Sequence, residues 1–342
     1  MKQDLFQRFQ RWLIAAIAVG ALIYLGGSVW AGFSKMKDQF QIFQWSMFVY
    51  AILLTLSNYT LRFFKWHYLL GRLNVQMPLV EDMWTFTAGL SMAISPGKAG
   101  ELLKPYVVRA RTGVPMATTI PALITERLTD GIALLILTAT GITTFAADQT
   151  IWLVGLALCI LAGLAILASE RLSLGLLHSI GKIGPLSKIV PKLIEMMQSM
   201  RTCVAPISLV WTIFLSVIAW GAECIAFYVI FKGLGVEASW QLCCFLYSAA
   251  TLAGSVFFGG VGVADGALAG GALKLIKLTS SQAFTAAFLV RIATLWLGVG
   301  LGAIALFKVS NMLGGRVDLD EDPNAHPANS SDAPNPTTQE LQ

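Results

Sequence analysis

Long apolar stretches, separated by short polar or basic segments, dominate the chain. Runs near Leu13–Phe33, Ile42–Leu61, Met116–Phe145, Ile151–Ala168, Val204–Phe231 and Ala283–Lys308 approach or exceed the ~20 residues a helix needs to cross a bilayer. Two further apolar segments behave differently. Met83–Ile94 is too short to cross and runs into Pro96-Gly97, after which a polar-headed segment continues to Arg111. Trp240–Phe258 runs into a glycine-rich loop followed by Ala264–Ile276. Each reads as a re-entrant hairpin that enters and leaves on one side. Non-helical backbone at membrane depth is tolerated where it is buried in protein or lines a wet cavity. The pattern predicts an all-α polytopic membrane protein with about six full transmembrane helices plus two re-entrant hairpins, eight hydrophobic segments in all.

The two loops repeat one pattern. The first is Ser95-Pro96-Gly97-Lys98-Ala99-Gly100-Glu101, followed by Arg127. The second is Gly259-Gly260-Val261-Gly262-Val263-Ala264-Asp265, followed by Arg291. In both, the arginine comes 26 residues after the carboxylate. Three full spans separate the loops, and an odd number makes them enter from opposite faces. The expectation is an inverted repeat with halves at 1–148 and 149–310, the hairpins near 83–111 and 240–276. Paired broken helices in corresponding halves point to a substrate path at the repeat interface.

Composition supports a membrane body. Charged residues make up 13% of the chain, against roughly a quarter in soluble domains. All 24 Lys and Arg precede Asp318, against 13 acids in the same stretch. This excess fits cytoplasmic loops rather than nucleic acid. With six spans and two hairpins, both termini are cytoplasmic, and Arg62, Lys65, Lys104, Arg109 and Arg111 fall at or near the inner face of a cytoplasmic (inner) membrane. Eight full spans would put Arg109, Arg111 and the basic 170–202 segment outside. That segment reads either as a basic amphipathic stretch on the inner leaflet or as an ordinary connection broken by Pro185 and Pro191. The N-terminal apolar run is too long for a signal peptide and reads as an uncleaved span. The tail at 318–342 is acidic and polar and is expected to be disordered. The five cysteines have neither metal nor disulfide spacing, and no metal or cofactor is expected.

Residues Gly89–Ile136 resemble the transmembrane, flippase-like domain of the lysylphosphatidylglycerol synthase family. The resemblance rests on Pro96…Gly100-Glu101, on Lys104…Arg109-x-Arg111, and on Glu126-Arg127…Asp130. An upstream Arg62-x-x-x-Trp66-x-x-Leu69-Leu70 element and the Gly259–Asp265 loop extend it over about residues 10–308. The second loop departs from the family pattern: it lacks the proline and has Asp265 where Glu is usual. The resemblance implies a domain that moves lipid between leaflets. With only the tail after the last span, no fused transferase and no synthase activity are expected.

The candidate site follows from the chemistry of these residues. Glu101 and Asp265 each stand where a helix restarts, so the simplest role for them is capping at the positive end of a helix dipole. A carboxylate in a bilayer is expensive, though, and Ser or Thr would cap as well. Pairing with arginine is therefore expected: Glu101 with Arg127 and Asp265 with Arg291, or crosswise between halves. Arg127 and Asp130, and Glu126 and Asp130, are spaced to share a helix face. They form either a self-neutralising cluster or a poised forked donor for a lipid phosphate. Gly97, Gly100, Gly260 and Gly262 would leave backbone N–H groups free for an anion. Lys98 is the loop cation best placed to touch substrate. Glu223 lies inside a span without an obvious local partner and is a candidate coupling group. Trp45, Trp66, Trp84, Trp211 and Trp240 read as belt or packing residues. The expected partner is a membrane lipid, either an anionic or aminoacylated phospholipid or a lipid-linked glycan. A small-solute or ion transporter and a non-transporting accessory protein of lipid or glycan assembly are the alternatives.

Overall fold

A computed structural model describes residues 22, 25–26, 33–95, 100–145, 147, 150–168, 190–255 and 261–313. Most of the predicted first span, the tail, and the loop residues Gly97, Lys98 and Gly260 lie outside the described residues. Every regular element described is helical. In chain order these are α1 (Phe33–Ile42), α2 (Trp45–Arg72), α3 (Leu79–Ser91), α4 (Leu103–Thr112), α5 (Met116–Phe145), α6 (Thr150–Ala168), α7 (Val190–Cys203), α8 (Pro206–Gly233), α9 (Trp240–Gly254), α10 (Val263–Leu275), α11 (Ser280–Arg291) and α12 (Leu297–Leu313). A single π-helical turn, Ile292–Trp296, joins α11 to α12. Three helical stretches, Trp45–Arg72, Pro206–Gly233 and Ser280–Leu313, are long and apolar enough to cross a membrane. At 30 residues α5 is as long as these, but it carries Glu126, Arg127 and Asp130 in mid-helix.

The helix lengths recur in one order, long, short, short, long. In the first unit these are α2, α3, α4 and α5, with 28, 13, 10 and 30 residues. In the second, α8, α9 and α10 have 28, 15 and 13 residues, and the α11–α12 stretch has 34. The short helices rise too little to span a hydrocarbon core of ~30 Å. The two helices of each short pair contact each other and flank one of the two loops read from the sequence.

Both 28-residue helices end in the same way. Asn74 (φ 56°) and Gly235 (φ 68°) take the left-handed conformation just past the helix, as Asn and Gly do most easily. The next residue closes the turn, Val75 N–H donating to the Leu70 carbonyl and Val236 N–H to that of Phe231, both at 3.0 Å. Leu73-Asn74-Val75 and Leu234-Gly235-Val236 therefore turn the chain identically into each hairpin.

Packing exchanges the units. α2 and α8 form the most extensive contact. The first arm of each hairpin lies along the closing helix of the other unit, α3 against α12 and α9 against α5. Small residues let membrane helices approach closely. A β-carbon on Gly302 of α12 would sit 2.3 Å from the Ser91 backbone nitrogen of α3. Two apolar clusters result, one built on α8 to α11 and the other on α2 to α4 with α12.

One boundary and one charge assignment need correction. The second span does not stop at Leu61; its helix runs on to Arg72. The cations that suggested the edge, Arg62 and Lys65, are 9% and 0% exposed, and Lys104 is 3% exposed. They lie inside the bundle, each against a carboxylate, so they do not mark the water boundary there. The described part of the 170–202 segment, α7, packs on α5, where Thr118 donates to Glu195 at 2.7 Å.

Candidate functional site

A cavity of about 110 Å³ opens between the two hairpins. The first hairpin contributes Ala93, Glu101 and Lys104, and the second contributes Gly254, Ser255 and Ala264. Arg127 from α5 and Arg291 from α11 both face it, with Arg62, Trp220 and Glu223 from the two long helices.

In the first unit, Arg127 is held from three sides. Its Nε lies 3.2 Å from Glu101 Oε2 and its Nη2 3.4 Å from Asp130 Oδ2, and Nη2 also contacts Glu126 Oε1. Glu126 is completely buried. Its other oxygen takes Lys104 Nζ at 2.5 Å, and Arg62 Nη2 approaches at 3.5 Å. Lys65 Nζ lies 2.5 Å from Asp130 Oδ1 and donates to Ser216 of α8 at 2.7 Å. Lys104 also sits 4.4 Å above the Trp66 ring, a favourable desolvated cation–π geometry. Asp82 holds that ring through the indole N–H at 2.8 Å and takes His67 Nδ1 at 2.7 Å. Trp66 is thus a fully buried brace rather than part of an interfacial belt.

The second unit is built with fewer charges. Asp265 Oδ1 meets Arg291 Nε at 2.8 Å, while Oδ2 accepts the Gly262 N–H at 2.8 Å. Capping and ion pairing thus coexist in one side chain. Arg291 is immediately followed by the π turn, where the Tyr59 hydroxyl of α2 donates to the Thr294 carbonyl. A π turn leaves backbone groups outside the regular ladder, and Tyr59 takes up one of them. Glu223 is 4% exposed and accepts the Tyr247 hydroxyl at 2.6 Å.

Several sequence expectations meet this geometry. Both ion pairs form within a unit, Glu101–Arg127 and Asp265–Arg291, and Glu126 and Asp130 join the first. The expectation of free loop amides fails at both described glycines. Gly100 N–H donates to Ser95 Oγ at 2.9 Å, and Gly262 N–H to Asp265. Each loop spends that donor on its own turn. Gly97, Lys98 and Gly260 are outside the described residues. Arg62, Lys65 and Lys104, read from the sequence as inner-face cations, belong to the site instead, and Tyr59 and Tyr247 were passed over. For Arg62 and Lys65 a signal existed: they lie three apart, and so on one face, beside Trp66 in the element shared with the family.

The sequence matches the family described as lysylphosphatidylglycerol synthase TM region over residues 13–302. The chain belongs to this family. The match takes in both units and every residue of the cavity. A protein of Methanothermobacter thermautotrophicus named as a UPF0104 membrane protein is 26% identical over 324 residues, which is 88% of this chain and 93% of that protein. The similarity thus covers nearly the whole length of both proteins.

Proposed function

We propose that this membrane protein translocates a phospholipid or lipid-linked headgroup between leaflets. The observation that carries this reading is that Arg127 and Arg291, from equivalent places in the two units, face one cavity bounded by both hairpins. Arginine offers a forked, permanently charged donor that matches a phosphodiester. Glu101 and Asp265 hold the arginines when no lipid is present and release them to a phosphate. In this reading the units are inverted across an inner membrane with both termini cytoplasmic, the halves meeting near residue 148. The hairpins dip in from opposite faces, and rocking of the halves exposes the cavity to each side in turn. The recurring helix lengths and the exchanged packing support it.

Reconstitution with fluorescent or aminoacylated phospholipids tests the proposal. Leaflet exchange is expected with the native protein and at least a tenfold loss in Arg127→Ala and Arg291→Ala. Unchanged exchange in both variants would reject the mechanism. A second reading, a transporter of a small solute or ion, has one observation in its favour. The cavity is well below the ~300–1,000 Å³ of common ligand sites, so a lipid headgroup enters only as the hairpins part. Gradient-driven uptake of a soluble substrate that is indifferent to lipid would select it.

A further inference from the structure

Among the described residues, five cations and five carboxylates line the cavity or belong to the ion-pair networks of the groups that do. The cations are Arg62, Lys65, Lys104, Arg127 and Arg291; the carboxylates are Glu101, Glu126, Asp130, Asp265 and Glu223. Four of the carboxylates are in ion pairs. Glu223 differs. Among the described residues its carboxylate is in no ion pair, and its hydrogen bond comes from the neutral Tyr247 hydroxyl. It nonetheless lines the cavity and is almost fully buried.

The groups that act on it come from every helix around it: Arg62 and Tyr59 from α2, Asp130 from α5, Tyr247 from α9 and Arg291 from α11. With Glu223 ionised and the cavity empty, the set is electrically balanced. A monoanionic phosphodiester entering the cavity would leave one surplus negative charge in a poorly solvated space. A like charge nearby favours the protonated form of a carboxyl. Glu223 is the carboxylate that can take a proton without breaking an ion pair.

We infer that Glu223 is a proton site coupled to the anionic headgroup, so that one phosphodiester and one proton occupy the cavity together. The inference rests on the lipid-translocation reading and adds its energy source: an inward or outward proton gradient would bias leaflet exchange. By linkage, headgroup binding and Glu223 protonation strengthen each other by the same factor. Tyr247 can donate to the ionised form or to the carbonyl oxygen of the acid, so this hydrogen bond survives protonation.

The test is proton uptake on binding of short-chain phosphatidylglycerol to the full chain in detergent at pH 7. It is read by titration calorimetry in two buffers of different ionisation enthalpy. About one proton taken up per lipid bound is expected for the native protein, none for Glu223→Gln, and restored uptake for Glu223→Asp. Lipid binding without proton uptake by the native protein overturns this inference and leaves translocation standing. Uptake that persists in Glu223→Gln overturns the assignment to Glu223. Absence of lipid binding to the native protein overturns the lipid reading, and this inference with it.

Discussion

The two units place an arginine against a hairpin carboxylate at the same spacing, yet they embed the pair differently. In the first, Arg127 and Glu101 are part of a lattice in which Glu126 alone touches Lys104, Arg62 and Arg127. In the second, positions equivalent to Glu126 and Asp130 are Val290 and Thr294. There the pair is joined instead to the Gly262 cap and sits at a π turn. A buried charge network resists rearrangement because each member satisfies several others. An ion pair beside an irregular turn, with Val290 and Thr294 in place of the two carboxylates, can open with less disruption. Under the translocation reading proposed above, the first unit is the fixed anchor and the second the moving gate.

That contrast can be broken by substitution. Glu126→Ala leaves Lys104 without a carboxylate, takes one partner each from Arg62 and Arg127, and is expected to cost at least the 3–5 kcal/mol typical of a broken buried ion pair. Thermal unfolding in detergent would show it as loss of a folded population. Asp265→Ala should cost less, about 3 kcal/mol, because it removes the single Asp265–Arg291 ion pair. Equal losses in the two variants would remove the distinction between anchor and gate. Asp265→Asn keeps an acceptor for the Gly262 N–H, so it should be milder than Asp265→Ala by about 1 kcal/mol, the worth of a cap.

The helix crossings sharpen the comparison further. At α3–α12 a β-carbon on Gly302 meets Ser91 backbone, whereas at the matching α9–α5 crossing one on Gly141 meets the Phe245 and Phe145 side chains, at 2.8 Å and 3.0 Å. The 2.3 Å approach at Gly302 is closer than the 2.8 Å approach to the Phe245 Cβ at Gly141, and only at Gly141 is one of the crowding groups, the Phe145 ring, able to turn aside. Gly302→Ala should therefore cost about 1–3 kcal/mol by overpacking and Gly141→Ala less, as read from the midpoints of denaturant unfolding. The smallest effect is expected at the repeated helix ends. Gly235→Asn copies Asn74 and should change stability by less than about 0.5 kcal/mol, while Gly235→Ala should cost about 1 kcal/mol at the same φ.

The short helices on either side of the two loops were legible because too few apolar residues for a span, followed by a loop of Pro or Gly, is a local pattern. The Glu101–Arg127 and Asp265–Arg291 pairs were legible because both partners lie within one unit and the spacing occurs twice. Arg62, Lys65 and Lys104 were misplaced for a physical reason. A cation at the end of an apolar run ordinarily signals water, and only contacts with Glu126 and Asp130, from other helices, overturn that signal. Glu223 was visible as a charge out of place, but its partner Tyr247 is on a different helix. The π turn has no local signature, since a hydroxyl from α2 takes up its carbonyl.

The crossing of α3 over α12 has a consequence for biogenesis. The docking face for the first hairpin is supplied by α12, which is synthesised after every other described helix. Until then α3 lacks the helix it packs along, and a chain cut short before Leu297 would leave the Ser91 face of that hairpin uncovered. Quality control that senses unfinished membrane proteins would find its signal in that waiting hairpin.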